Sequence, residues 1–560
     1  MTNGIKLIKG ALFTLLLSAL FYLSGCDITD PLDGIKVILD TKERETTVSV
    51  IFRDASTNEP IGFSGDQNVT ITLTGTDEGQ VIDLLSRERN SFESRRGFVS
   101  FAIRDGRTPS RENPVELVAQ VSAPSGDFIA TTQRLFVNTV GSNAFEIRMV
   151  NKNTLPQGVN GASVAAITTV SSGGGTVSDV VLSGEQLGMQ TPLTIRIPQG
   201  TRLFNANGTA LNGELSAEVF HFNHKERESL QSFPGGLAGV VSNFDEISGI
   251  PGGLMSDLQT EGATVHFTPA GFMSVSFTIG GQLVRTADGL MEFIIGLPEG
   301  VFNRSGERVM VGSSVPIWSY DRDLGEWTFE FEAQVMETPA DDPDFGPDFP
   351  PMYILGQTNH WSFWNAAYAS PVCKSGVQVN LTGLQMPAIG RLLRTDTDEN
   401  VFMGLFPSEV ASDGSRFIEL TNVPEDIPGR LEILDLFNNV IAEVDIPQLC
   451  NSEPVNLDLG SVSETVITFS GTGICPGKDV ELRPNIPILI KPDTEDGQWL
   501  HVGNTRQGRI TLGIPEPGTY LFGTYFENRW YEYNVDLSGF NDGDVHEETI
   551  ELPDNICRDL

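Results

Sequence analysis

Val69-Thr70-Ile71-Thr72-Leu73 alternates apolar residues with threonine, which is the period of a strand with one buried face. Gly97-Phe98-Val99-Ser100-Phe101 is a similar run that begins at a glycine. Short runs of this kind, broken by Gly, Pro, Asn and Asp, continue along the chain, and long stretches of helical periodicity are missing. With 58 Gly and 32 Pro in 560 residues, turns are frequent, which favours antiparallel sandwiches over βαβ units. The sequence predicts an all-β protein made of tandem antiparallel β-sandwich domains in an elongated chain.

The chain is too long for a single hydrophobic core, and shifts in composition indicate where it divides. Proline removes ladder donors and like charges repel, so the Asp/Pro-rich stretch around 340–351 is predicted to be a loop or linker. The predicted parts are a signal peptide at 1–25, a tether at 26–35, a β-sandwich at 36–150, a β-rich region at 151–368 with an acidic linker at 337–351, and two β-sandwich repeats at 369–460 and 461–560.

Leu23-Ser24-Gly25-Cys26 ends an apolar run that is preceded by Lys6 and Lys9. This run is short for a membrane span and has the basic, apolar and small-residue order of a cleaved signal. Small residues before a cysteine are what a lipoprotein signal peptidase requires, so Cys26 is the predicted lipidation site and the membrane is a predicted partner. We expect an outer-membrane, lipid-anchored protein that faces the cell surface. A periplasm-facing orientation is the alternative. Asp27 directly follows the cysteine, which in enterobacteria signals retention in the inner membrane.

The net charge excludes one class of partner. The 36 Lys and Arg residues against 74 Asp and Glu give −38, and no basic block offsets them. A sequence-independent grip on nucleic acid phosphates needs clustered positive charge, so no nucleic acid partner is expected.

The C-terminal third contains an internal repeat in which each copy begins and ends with a cysteine. The first copy runs from Cys373 to Cys450 and the second from Cys475 to Cys557. Exported cysteines pair as disulfides by default, and four cysteines allow three pairings. The repeat favours Cys373 with Cys450 and Cys475 with Cys557.

Two parts of the chain resemble known families. Arg509-Ile510-Thr511-Leu512 followed by Pro517-Gly518-Thr519-Tyr520 resembles the carboxypeptidase regulatory-like (transthyretin-like) β-sandwich modules of exported bacterial proteins, and 51–73 looks like the start of another such module or of an immunoglobulin-like sandwich. Thr194-Ile195-Arg196-Ile197-Pro198-Gln199-Gly200-Thr201, together with 359–365, is similar to the extracellular region of the FAM171 and cartilage intermediate layer proteins, with a ZU5-like opening. The resemblances imply β-sandwich architecture and an extracellular setting, and they bring no catalytic residues.

The sequence shows no catalytic constellation and no clear metal site. The six histidines accompany no nucleophile elbow, and His221 and His224 are spaced to lie on opposite faces of a strand. We therefore predict no enzyme activity and no cofactor. Asp396-Thr397-Asp398-Glu399-Asn400 alternates oxygen ligands but lacks the glycine of a calcium loop, so an acidic hairpin tip is the simpler interpretation and calcium is left open.

Trp499 and Trp530 are the candidate ligand-binding residues. In 530–537 the strand period places Trp530 with Glu532, Asn534 and Asp536 on the polar face, which predicts an exposed indole. The sequence favours a noncatalytic surface lipoprotein that acts as a binding, adhesion or structural module for a protein or glycan partner. A glycan-binding accessory lipoprotein of a polysaccharide uptake system and an extracellular enzyme of unrecognised type are the alternatives.

Overall fold

The structure is a computed structural model and describes residues 37–40, 45–552 and Cys557, apart from gaps within the second range. The gaps are 63–66, 85, 95, 111–112, 174, 185–186, 188–191, 243–262, 340–344, 346–348, 374–375, 383–387, 407–415, 426, 435–439, 451–452, 460–464, 479, 484–485, 495–498, 515–517, 527–528 and 542. The predicted signal peptide, the tether and the lipidation site Cys26 lie outside the described residues. Almost all of the regular secondary structure in the described part is β-strand, so the predicted all-β class is confirmed.

The first sandwich consists of two four-stranded sheets that share one hydrophobic core. After β1 (Val37–Asp40), which does not belong to it, come β2 (Thr46–Asp54), β3 (Val69–Thr74), a 3-10 turn at Glu78–Gln80, β4 (Val81–Ile82), β5 (Ser91–Ser94), β6 (Phe98–Ile103), β7 (Val115–Ser122), β8 (Thr131–Val137) and β9 (Gly141–Met149). One sheet has the order β5-β3-β7-β8. The other, called the N-terminal sheet below, has the order β4-β6-β2-β9. In β3 buried and half-buried residues alternate, as the opening motif predicts.

The central region is a single 13-stranded sheet. Its elements are β10 (Val159–Val170), β11 (Val180–Leu182), β12 (Leu193–Ile197), β13 (Leu203–Phe204), β14 (Gly213–Phe222), α1 (Arg227–Ser232), β15 (Ala238–Val241), β16 (Ala263–Ile279), β17 (Gln282–Leu283), β18 (Thr286–Leu297), β19 (Ser314–Asp321), β20 (Glu326–Glu337), β21 (Met352–His360) and β22 (Phe363–Pro371). Its main path is β10-β14-β16-β22-β19-β20-β21-β18-β12-β11, and residues from both halves of this path meet in one core. The sheet therefore curves around that core.

The acidic stretch 337–351 connects two strands of this central sheet. Glu337 of β20 is the register partner of Met352 of β21, and the Thr338 amide donates to the Pro351 carbonyl over 2.9 Å. Of the two predicted alternatives, a loop or a linker, the paired residues on both sides support the loop of a hairpin, although most of the aspartates of this stretch lie outside the described residues. Proline and repulsion between like charges exclude a strand here, but they do not distinguish a loop within a sheet from a tether between domains.

The internal repeat appears as a repeated strand order. The strands of the third sandwich are β23 (Val377–Thr382), β24 (Ala388–Arg394), β25 (Asn400–Phe406), β26 (Arg416–Leu420), β27 (Gly429–Leu434), β28 (Val440–Ile446) and β29 (Val455–Asp458). Those that follow are β30 (Thr465–Ile474), β31 (Val480–Arg483), β32 (Pro487–Pro492), β33 (Leu500–Asn504), β34 (Arg509–Ile514), β35 (Thr519–Phe526), β36 (Arg529–Asp536) and β37 (Val545–Glu551). The sheet order β25-β24-β27-β28 recurs as β33-β32-β35-β36, called the C-terminal sheet below, and β23 pairs with β26 and β29 as β30 pairs with β34 and β37.

Both predicted disulfides are present. Cys373 is bonded to Cys450 and Cys475 to Cys557, with Cα atoms 5.4 Å and 5.5 Å apart. The favoured pairing is therefore confirmed. Cys373 lies just before β23, the first strand of its repeat, and Cys475 directly follows β30, the first strand of the other repeat. Their partners Cys450 and Cys557 lie near the ends of the same repeats.

The described residues fall into two compact units, and β1 lies in the smaller one with residues of 471–484 and 548–560. Within that unit β1 pairs in parallel with β31, Val37 opposite Val480, and β31 pairs with the Gly473–Ile474 end of β30. The assignment of β1 to a first sandwich at 36–150 is therefore corrected. Parallel pairing between strands so far apart in sequence leaves no local pattern, which is why the sequence did not reveal it.

Within the larger unit, the first sandwich packs against the central sheet. An aromatic cluster on the central sheet, which includes Phe267 and Trp327, also takes in Ala55, Ile129 and Val150 of the first sandwich. The Tyr320 hydroxyl donates to the Thr132 carbonyl over 3.1 Å, and Arg134 bonds to Glu326 over 2.5 Å. The two bodies therefore share buried apolar and polar contacts.

Candidate functional site

The candidate site is the contact between the outer faces of the N-terminal and C-terminal sheets, called the sheet contact below. Both sheets belong to the larger unit. The sheet contact contains both candidate tryptophans and joins strands that are hundreds of residues apart in sequence.

On the N-terminal sheet, β2 is buried on both faces, and eight of its nine residues are buried. Val48, Val50 and Phe52 point into the core of the first sandwich. The alternate residues Thr47, Ser49, Ile51 and Arg53 form the other face, and each is between 2% and 7% exposed. A strand of a free two-sheet sandwich would show this second face to solvent, so β2 must be covered from outside.

On the C-terminal sheet, the strand period separates two sets of side chains. The inner set shares a core with β30 and β34 and includes Ile490, Val502, Phe522 and Val535. The outer set forms a separate apolar cluster with Ile51 and Phe98, and its members are Leu489, Trp499, Leu521 and Trp530. The outer face of the C-terminal sheet therefore covers β2 and β6.

The two tryptophans are packed within this contact. Trp499 is 3% exposed, and its ring meets that of Trp530 edge to face, with centroids 5.1 Å apart. The Trp530 ring stacks on Phe98 at 5.7 Å with an interplanar angle of 14°. The expectation of an exposed aromatic platform is therefore corrected. The strand period placed Trp530 on the outer face of its sheet correctly, but that face is covered by another sandwich.

Asn504 links the two sheets through its side-chain amide. Its Nδ2 donates to Thr47 Oγ1 over 2.7 Å, and its Oδ1 accepts from Ser49 Oγ over 3.2 Å. The ring of His501, on the same strand, lies 3.4 Å from that Oδ1 through its Nε2. Buried polar groups that satisfy one another in this way give a contact its register.

Arg53 makes the charged link. Its Nη2 donates to the Trp499 carbonyl over 2.7 Å, and its Nε donates to Glu146 over 2.8 Å. Arg148 also donates to Glu146, over 2.7 Å. Burial by itself would raise the pKa of Glu146, but the guanidiniums of Arg148 and Arg53 lower it to about 2. The carboxylate is thus ionised at neutral pH and holds Arg53 toward the C-terminal sheet.

Sequence reasoning missed Ile51, Phe98, Arg53 and Asn504 as contact residues. The sequence did contain an indication of this contact. On the outer face of β2, Ile51 is a large apolar residue beside Thr47, Ser49 and Arg53. On the outer face of β6, Phe98 is a large apolar residue beside Ser100 and Ala102. Such residues on the solvent face of a sandwich indicate a partner surface. They do not indicate that the partner is in the same chain.

The acidic run 396–400 lies at the tip of the hairpin that joins β24 to β25, as the simpler interpretation predicts, and it makes contacts there. Arg394 forms a two-pronged ion pair with Asp396, at 2.6 Å and 2.9 Å, and also donates to the Arg304 carbonyl of the central region. Burial raises the pKa of Glu399. The run thus packs where the third sandwich meets the central region, and Asp396 has a guanidinium as its partner.

Three of the histidines, His221, His224 and His266, are buried. Burial lowers the pKa of His221 to about 4 and that of His224 to about 3. His266 Nε2 lies 2.9 Å from the Val401 carbonyl, again between the central region and the third sandwich. Among the residues that the structure describes, no group of three or more His, Cys, Asp or Glu side chains is arranged to hold a metal ion.

Within the described ranges, no helix has both the length and the apolar character needed to cross a bilayer.

Comparisons with known proteins identify no family for this chain. No protein-family model matches it, and no curated protein matches it either. The resemblances to transthyretin-like and FAM171-like regions therefore rest on the motif residues alone.

Several solved structures of bacterial proteins match this chain at low identity. The TIE protein of Bacillus anthracis matches at 8% identity over 87% of this chain and 68% of its own, with a TM-score of 0.13. BcpA, the major pilin subunit of Bacillus cereus, matches at 8% identity over 90% of this chain and 99% of its own, with a TM-score of 0.14. A fimbrial assembly protein from Parabacteroides distasonis matches at 10% identity over 31% of this chain and 89% of its own, with a TM-score of 0.14. Scores this low do not establish a common fold.

Proposed function

We propose that this protein is a noncatalytic lipoprotein of the outer membrane that faces the cell surface and acts as a β-sandwich binding, adhesion or structural module. The observation that carries this proposal is the use of its polar and aromatic residues. Arg53, Asn504, Trp499 and Trp530 serve to join one sandwich to another. These polar and aromatic groups thus stabilise the contact between sandwiches of the same chain.

The two disulfides support an exported location, because such bonds persist in oxidising compartments. The sequence Leu23-Ser24-Gly25-Cys26 supports a lipid anchor. Covalent acyl chains on Cys26 would hold the protein at a membrane durably if two or more are attached.

Membrane fractionation and metabolic fatty-acid labelling test the anchor. We expect the wild-type chain to incorporate labelled palmitate and to sediment with membranes, and Cys26→Ser to lose both properties. The double substitution Cys373→Ser and Cys450→Ser is the matched control, because it removes two cysteines without touching the lipidation motif, and it should keep the label. Equal labelling of Cys26→Ser and wild type would contradict the anchor.

Protease shaving of intact cells tests the orientation. A surface-facing protein is digested without cell lysis, whereas a periplasm-facing protein is digested only after lysis. Survival of the chain on intact cells, with digestion after lysis, would refute surface display while leaving the lipid anchor intact.

A further inference from the structure

We propose that the sheet contact is a latch that opens in mild acid, with His501 as its trigger. The proposal concerns contacts within the larger unit and is independent of the membrane anchor. His501 is the register partner of Leu489, a member of the contact cluster, so its side chain lies on the outer face of the C-terminal sheet. It is 1% exposed.

The neutral form of His501 fits its surroundings and the charged form does not. Asn504 Oδ1 is an acceptor, so Nε2 of the ring donates to it and the neutral ring carries its proton there. The other ring nitrogen, Nδ1, is buried and has no hydrogen-bond partner among the described residues. Protonation would place a new N–H donor and a positive charge at that buried position, where Nδ1 has no hydrogen-bond partner.

The charged groups near the latch do not compensate. Those on the two outer faces are Arg53, Glu146, Arg148, Lys491, Glu532 and Asp536. Glu146 is already bonded to both arginines, and Glu532 accepts from Trp530 Nε1 over 3.0 Å. Asp536 accepts from the Ser538 hydroxyl. Each of these three carboxylates is therefore engaged with another group, and the remaining charges are positive.

The link from His501 to the first sandwich is short. It runs from the ring to Asn504 and from Asn504 to Thr47 and Ser49. A charged ring that turns toward water breaks the bond to Asn504 Oδ1, which is the same atom that accepts from Ser49. Exposure of the ring and loss of the polar part of the contact are thus one event.

The size of the effect follows from proton linkage. Burial lowers the pKa of His501 from 6.5, the value of an exposed ring, to about 4. Hydrogen bonds with Asn504 and with the Gly503 backbone oppose this shift, but their effects are smaller. A fall in pH favours the state in which the His501 ring has the higher pKa, which is the open state. The equilibrium constant for opening therefore rises about 100-fold between pH 7 and pH 4.

Acrylamide quenching of tryptophan fluorescence on the full chain tests the latch, with far-UV circular dichroism measured at each pH. Trp530→Phe identifies the part of the signal that comes from the contact, because four of the other tryptophans lie in the central region. Between pH 6.5 and 4 we expect quenching of the Trp530 signal to rise while the circular dichroism is unchanged. Quenching that stays flat, or that rises only together with loss of the β signal, overturns the proposal.

Two variants separate the trigger from general acid sensitivity. His501→Gln cannot gain a charge and should lose the acid response, whereas the control His546→Gln, in the same sandwich but packed on Phe469 and Phe540, should keep it. Phe98→Ala keeps His501 but removes the ring that stacks on Trp530, so the latch should open at a higher pH. If His501→Gln opens at the wild-type pH, or Phe98→Ala does not shift the opening, His501 is not the trigger of a latch at this contact.

Discussion

Gly356 on β21 is a residue for which the structure leaves no room for a side chain. A Cβ atom there would lie 2.1 Å from Cζ of Phe293, and Phe293 is fully buried. We expect Gly356→Ala to lower the free energy of unfolding by about 1–3 kcal/mol, the usual cost of overpacking a core. Denaturant titration measures it. Gly539→Ala is the control, because nothing lies within 4 Å of its Cβ position, and an equal loss there would contradict the steric explanation.

Glu146 is the residue whose charge the sheet contact needs. The Arg53 side chain is only 4% exposed, so Glu146→Gln leaves a buried guanidinium without its carboxylate. We expect a loss of about 1–3 kcal/mol at pH 7, by denaturant titration. Because the folded pKa of about 2 lies below the ordinary 4.5, this stabilisation is present above pH 4.5 and is lost as the pH falls toward 2.

Glu88→Gln is the matched control for this charge. Glu88 pairs with Arg104 at the surface, where the two side chains are 78% and 46% exposed. Exposed pairs contribute little, about 0–1 kcal/mol, so this variant should differ little from wild type. If Glu146→Gln and Glu88→Gln lowered the free energy of unfolding equally, the buried position of Arg53 would not explain the effect of Glu146→Gln.

At the scale of elements, the disulfide of the third sandwich closes a segment between cysteines separated by 77 positions. Cys373→Ser with Cys450→Ser removes this bond and increases the conformational entropy of the unfolded chain. We therefore expect the free energy of unfolding of the third sandwich to fall by about 2–4 kcal/mol. Hydrogen exchange measured on peptides of β23 to β29 reports this locally in the full chain. Cys475→Ser with Cys557→Ser should leave those peptides unchanged, and faster exchange there in both variants would contradict a local effect.

The strand pattern predicted most elements because its period is local. Val69, Ile71 and Leu73 are buried as their alternation indicates, and the matching ends of the repeat indicated the disulfide pairing. The pattern failed where a second body covers the outer face of a sheet. In β2 the alternating polar residues are buried as well, and in β6 Ala102 is buried and Ser100 is half-buried, because the C-terminal sheet lies over this face.

At the scale of the whole molecule, buried histidines predict acid lability. Burial lowers the pKa of His221, His266 and His501 to about 4 and that of His224 to about 3, from 6.5 when unfolded. Between these values the unfolded chain binds more protons than the folded one, so stability falls as the pH drops from 6.5 to about 4. Calorimetry should show the unfolding temperature falling over this range. His266→Gln should make that dependence shallower, and a profile that is flat down to pH 4 would contradict it.

The sequence by itself determined the all-β class, the period of the strands, the repeat and the disulfide pairing. The first two follow from the spacing of apolar residues within short segments, and the last two follow from the presence of two copies of one pattern. Only the tertiary structure decided that Trp499 and Trp530 meet Phe98 and Ile51, that β1 pairs with β31, and that 337–351 closes a hairpin. These facts depend on contacts between residues far apart in sequence. Strand periodicity tells which side chains share a face, but the partner that covers that face is chosen by the packing of whole sheets.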